Sequence, residues 1–149
     1  MNVKSIVIAG FLLISICGVA FARPLKTVKE CTEDTEVNLR AGAVQVIAEL
    51  AVTPAKQQQG LMYRDSLEPD HGMLFILQTH DVCFWMKNTY IDLDIAFIDE
   101  NGRITGISAM KAESLDLTCS IGPAVYALEM SSGWFKEHNV NEGDLVELQ

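Results

Sequence analysis

From Val44 to Val52 the even positions Val44, Val46, Ala48, Leu50 and Val52 are apolar, while Gln45 and Glu49 fall between them. A period of two predicts a half-buried strand with its even positions inward. The period breaks at Thr53-Pro54. Thr caps helices and Pro is tolerated at the first helical position, so a short helix is expected from Pro54 to about Gln59, stopped by Gly60. Between Tyr63 and Gly72 the residues Asp65, Ser66, Pro69 and Asp70 bring turn chemistry.

Two short apolar runs come next, Met73 to Leu77 and Val82 to Met86, separated by Gln78 to Asp81. They read as two buried strands joined in a hairpin. Ile91 to Ile98 alternates again, with Ile91, Leu93, Ile95 and Phe97 on one face and Asp92 and Asp94 on the other. Asp99-Glu100-Asn101-Gly102 is a hairpin turn, because Asn-Gly reaches positive φ at little cost, and the return strand runs from Arg103 to Met110. A loop to Pro123 precedes a strand from Ala124 to Met130, a short helix from Trp134 to Asn139 and a last strand from Leu145 to Leu148. No segment repeats. The pattern predicts a mostly β (α+β) domain: a small curled sheet or open barrel with short helices at its ends.

The amino terminus carries a different signal. Lys4, an apolar run from Ile6 to Ile16 and the Ala20-Phe21-Ala22 triplet read as a cleavable export signal over residues 1–22, so the mature chain is expected to begin at Arg23. The alternative is an uncleaved anchor, since the stretch from Ile6 to Ala22 approaches the length of a membrane span. A lipid anchor at Cys17 is disfavoured because Ile16 stands where a small residue is wanted. Beyond residue 23 no apolar run is long enough to span a bilayer, which predicts a periplasmic or secreted protein with no stable membrane span. Residues 23–36 are polar and aperiodic and read as a flexible tether, leaving residues 37–149 as a single domain.

The formal charge is −9, and removing the signal takes away Lys4 and no acid. So acidic a chain lacks the basic face needed to displace counterions from a polyanion, which excludes nucleic acid as an expected partner. Three cysteines follow the signal, Cys31, Cys83 and Cys119. In an oxidising compartment the simplest state is one bridge and one thiol. The pairing is open, although Cys119 lies in the predicted loop from Leu115 to Pro123. No CxxC is present, which removes thioredoxin-type and zinc-knuckle readings.

The blocks Gly60-Leu61-Met62-Tyr63-Arg64, Gly72-Met73-Leu74-Phe75, Phe84-Trp85-Met86-Lys87-Asn88-Thr89 and Leu93-Asp94, in that order, are followed by Leu128-Glu129, Gly133 and a closing Gly143 turn. This series closely resembles the DUF192, or UPF0127, family of exported bacterial and archaeal proteins, over about residues 43 to 148. The resemblance implies a shared fold and brings with it no reaction, substrate or cofactor. The chain departs from the family at Cys83, where a small polar residue is usual, and in the loop around Cys119. A bridge between these two would be private to this branch.

Alternation places Cys83, Trp85 and Lys87 on one face of their strand and Phe84, Met86 and Asn88 on the other. A Lys and an Asn emerging beside a Trp suit an anionic or polyhydroxylated ligand. In the structural alternative, Trp85 packs in the core, Lys87 pairs with Asp92 or Asp94, and Asn88 closes a turn. Arg64 either meets a ligand carboxylate or ties the helix exit to Asp94 or Glu129 by a bidentate bond. The expected ligand set is therefore Arg64, Trp85, Lys87, Asn88, Asp94 and Glu129. It belongs to a non-enzymatic, monomeric accessory protein of the envelope that binds a small polar molecule or an envelope protein.

Two other classes compete with that reading. No cofactor is expected, but Met62, His71, Met73, His80, Cys83 and Met86 crowd one segment, and soft sulfur ligands suit copper, with zinc as a second choice. Against metal handling, Met is an ordinary core filler and no HxH, MxxM or HxxxH spacing occurs. Asp92 and Asp94, two apart on one strand face, suggest a hydrolase's acid and base, yet the sequence places no nucleophile beside them.

Overall fold

The computed structural model describes residues 23–25, 35–78 and 81–149; the export signal, Cys31 and His80 lie outside the described residues. The fold is mostly β, with a curled half-barrel sheet and two short helices. The strands are β1 (Arg23–Pro24), β2 (Glu36–Ala41), β3 (Val44–Ala51), β4 (His71–Ile76), β5 (Cys83–Phe84), β6 (Leu93–Ile98), β7 (Ile104–Met110), β8 (Thr118–Cys119), β9 (Tyr126–Ser131) and β10 (Val146–Leu148). The helices are α1 (Pro54–Gln59) and α2 (Trp134–Glu137). Eight strands form one sheet in the order β1-β10-β2-β3-β4-β9-β6-β7, and β5 pairs with β8 in a separate ribbon. The sheet curls until an isolated bridge between Arg103 and Leu145 joins the start of β7 to the start of β10.

Local chemistry sets several of these elements. The Thr53 hydroxyl accepts from the Lys56 amide at 3.3 Å and Pro54 opens α1, while Gly60, at φ +50°, ends it. Asp99 accepts from the amides of Asn101 (2.8 Å) and Arg103 (2.9 Å), and Gly102 turns at φ +81°, closing the β6–β7 hairpin as expected.

Two apolar clusters fill the two faces of the sheet. The first lies inside the curl and draws on Leu39, Val46, Leu50, Leu74, Ile98, Tyr126, Leu128 and Trp134. The second covers the outer face of β4, β6 and β9 with Leu61, Met73, Phe75, Phe84, Met86, Ile95 and Phe97. These central strands are buried on both sides, so they read as unbroken apolar runs rather than as alternation. Gly72 lets β4 lie close against β9, since a Cβ there would strike the Glu129 carbonyl and the Met130 sulfur.

The structure departs from the pattern reading in three places. The runs Met73 to Leu77 and Val82 to Met86 are not a hairpin: β4 lies parallel to β3 through the α1 crossover and antiparallel to β9, while β5 pairs with β8 from the predicted loop. Asp94 is not on a solvated face, being only 8% exposed, because β6 has apolar cover on both sides. The segment read as a tether is anchored at its start, where β1 pairs with β10 and Leu25 is buried in the inner cluster. Among the described residues no helix is long and apolar enough to cross a membrane.

Candidate functional site

β9 supplies the central feature. Tyr126, Leu128 and Met130 face the inner cluster, so the strand's alternation turns Ala127 and Glu129 to the outer one. The register sets Glu129 between Met73 of β4 and Ile95 of β6, both fully buried. Glu129 itself is 4% exposed, and no described residue bonds its carboxyl. Burial alone pushes its pKa up to about 8, so the group is protonated at neutral pH. Thr89 is equally buried at 4%, and its hydroxyl likewise has no partner among the described residues.

Both residues line a cleft of about 440 Å³ on the outer face. One wall is α1 with Gln57, Gln58 and Gln59. Gln57 holds that wall in place, its amide donating to the carbonyls of Ala51 and Ile76 at the ends of β3 and β4. The other wall is the arm from Asp81 to Trp85. Phe84 anchors the arm inward, edge-on to Phe75 at 5.0 Å between ring centroids. A disulfide between Cys83 and Cys119 anchors it sideways, joined by bonds from Ser120 to Val82 and from Met86 to Ser114. Asp81 is the second ionisable group of the cleft, and its described lining includes no Lys or Arg.

Of the residues singled out in the sequence, Met62, Cys83, Trp85 and Glu129 meet at this cleft. Cys83, Trp85 and Lys87 project outward and Met86 inward, as alternation requires. Trp85 is 45% exposed rather than packed in the core. The Lys87 ammonium lies 5.3 Å from the Trp85 ring centroid, instead of pairing with Asp92 or Asp94. Asn88, in the left-handed region at φ +57°, donates to the Tyr63 hydroxyl at 3.1 Å.

Arg64 binds neither Asp94 nor Glu129. It grips Glu49 through both terminal nitrogens, with Lys56 as a further partner, and this holds the Glu49 carboxyl below its ordinary range. The β6–β9 register puts Asp94 opposite Met130, on the face away from the cleft, where it accepts from the Gly133 amide at 2.9 Å. Asp92 accepts from the Ala112 amide and pairs with Lys111, which lowers its pKa. Both members of the suggested acid and base pair thus hold backbone amides away from the cleft.

Of the proposed metal ligands, Met62 and Cys83 line the cleft. Cys83 is oxidised to Cys119, Met73 and Met86 lie in the outer apolar cluster, and the His71 ring faces the Pro69 carbonyl. Sequence reasoning missed Thr89, Asp81 and the three glutamines of α1. Only the position of Thr89, next to Asn88 in the FWMKNT block, pointed toward it.

Residues 35–148 match the family described as DUF192, uncharacterized ACR. The chain belongs to the DUF192 family. No curated protein matches it. A solved structure from Sinorhizobium meliloti 1021, described as a putative transcription regulator, is 38% identical, with 79% of this chain and 97% of that chain covered at a TM-score of 0.75. A second, a protein of unknown function from Novosphingobium aromaticivorans DSM 12444, is 31% identical, covering 76% of this chain and 84% of that one at a TM-score of 0.69. The fold thus recurs in both, and the cleft residues lie within the stretch 35–148 that matches the family.

Proposed function

We propose that this DUF192 domain is a non-enzymatic accessory protein of the cell envelope that binds a small polar molecule in the cleft over Glu129. One observation carries the reading: Glu129 and Thr89, both buried and both without a partner among the described residues, converge on the same cleft. Both side chains line the cleft with polar atoms that no described residue bonds, so they are available to a ligand there. The volume of about 440 Å³ lies in the range of small-ligand sites, and the lining sets the glutamines of α1 against Phe75, Leu77 and Phe84. The description of the Sinorhizobium relative does not extend to DNA contact here, because a chain of net charge −9 lacks a basic face.

A thermal-shift screen of small polar compounds tests the proposal. Compounds that stabilise the protein are expected to lose their effect in Glu129→Gln and Thr89→Val, and to be recovered chemically unchanged. Stabilisation that survives both substitutions moves the site elsewhere, and conversion of the compound makes the protein an enzyme.

A further inference from the structure

The lining of the cleft selects among ligand classes. Among the described residues its ionisable groups are Asp81 and Glu129, both acidic. Lys56 and Arg64 are engaged on Glu49 and Lys111 on Asp92, while Lys87 lies over Trp85 at the edge of the cleft. Glu129 is therefore a buried carboxyl with no described cation beside it, in a cleft whose lining includes Phe75, Leu77 and Phe84. The Trp85 indole at the cleft's mouth already holds the Lys87 ammonium, so a ligand cation is placed at Glu129 and not on this ring.

Resting on the binding reading above, we infer that the cleft takes an organic cation, an alkylammonium whose head meets Glu129 and Thr89 and whose apolar body lies against Phe75, Leu77 and Phe84. An ammonium becomes the counterion of Glu129 as the carboxyl ionises on binding, and it donates hydrogen bonds to both unpartnered side chains. A carboxylate ligand would instead meet Asp81 and Glu129 with no Lys or Arg in the described lining. The acidic chain as a whole also raises the local concentration of cations.

The inference has a proton balance. Below pH 8 the free cleft holds Glu129 as the neutral acid, so binding R–NH₃⁺ releases one proton to solvent and leaves a carboxylate–ammonium pair. Affinity then rises about tenfold per pH unit on approaching pH 8 and levels off above it. Other charged groups around Glu129 are Asp81 in the arm, Lys56 on α1, Arg64 beyond it, and Lys87 outside the mouth. His71 stands at the start of β4, and Asp94 on β6 faces away. Burial is the sole cause acting on Glu129.

Isothermal titration of the folded protein with n-butylammonium, n-butanol and butyrate at pH 6, 7 and 8 tests the inference. The account predicts that n-butylammonium alone binds, more tightly at each step in pH, with about one proton released below pH 8 and at least a tenfold loss in Glu129→Gln. Thr89→Val, a near-isosteric change, is the second variant and is also expected to weaken binding. If n-butanol binds in a Glu129-dependent way and weakens as pH rises, the cation inference falls while the binding reading stands. If none of the three shows binding that depends on Glu129 or Thr89, both fall.

Discussion

Asp94 and Glu129 stand on neighbouring strands with their carboxyls on opposite faces of one sheet, Asp94 opposite Met130 and Glu129 opposite Ile95. They are almost equally buried, at 8% and 4%, yet Asp94 accepts from the Gly133 amide while Glu129 has no partner among the described residues. The first is an internal fastening at the entry to α2, and the second faces the cleft. Replacing Asp94 with Ala strands the Gly133 N–H and should destabilise the fold by about 1–3 kcal/mol without changing ligand affinity. Urea unfolding and titration of the same variant check both halves, and a weakened affinity at full stability would reverse the assignment.

The Glu129 carboxyl also makes stability depend on pH in an unusual direction. Its pKa rises from 4.5 unfolded to about 8 folded, so between these values the folded chain holds a proton that the unfolded chain has lost. Stability therefore falls as pH rises through this window, by up to about 1.4 kcal/mol per pH unit from this group, and flattens above it. Glu49 and Asp92 are shifted down, so their contributions are lost only below 4.5 and 3.8, outside the window. Glu129→Gln should flatten the slope in urea midpoints measured between pH 5 and 8. An unchanged slope would assign it to another group.

Arg64 predicts a complementary effect at acid pH. Its two-pronged grip on Glu49 contributes stability that is present above 4.5 and lost as pH falls through the depressed Glu49 value. Arg64→Ala is expected to cost about 1 kcal/mol at neutral pH, with the difference from the parent closing as Glu49 is protonated. Thermal melts at pH 7 and pH 3 measure it.

The Cys83–Cys119 bridge closes a separation of 36 residues and holds one wall of the cleft. Loop-closure entropy puts the loss in a Cys83→Ser, Cys119→Ser double variant at up to about 4 kcal/mol. Melting the parent with and without reductant should reproduce the variant's shift, and equal melting temperatures would show the arm to be held by Phe84 and Met86 alone.

Where short-range chemistry decides structure, the sequence was readable. The alternation of β3, the Thr53 cap with its Gly60 stop and the Asn101-Gly102 turn each depend on residues within a few positions. β2 was equally readable, since Val37, Leu39 and Ala41 alternate with Glu36, Asn38 and Arg40, and only Glu36 of it falls in the segment read as a tether. The partners of β4 and β5 were not readable. Strands covered on both faces lose their alternation, and a run that reads as a hairpin arm fits a parallel crossover equally well. For the same reason Arg64 was assigned the wrong carboxylate: Glu49 becomes its neighbour only once β3 and β4 lie side by side. Glu129 was visible as a single acid in the apolar run from Tyr126 to Met130, but its lack of a partner emerged only from the packing.

The most direct test is a carbon-13 titration of the glutamate side-chain carboxyls, with Glu129 assigned by its absence in Glu129→Gln. The account predicts one carboxyl that stays protonated through neutral pH and titrates near 8 in the free protein, falling when n-butylammonium is bound. A Glu129 signal that titrates near 4.5 and ignores the ammonium would contradict it.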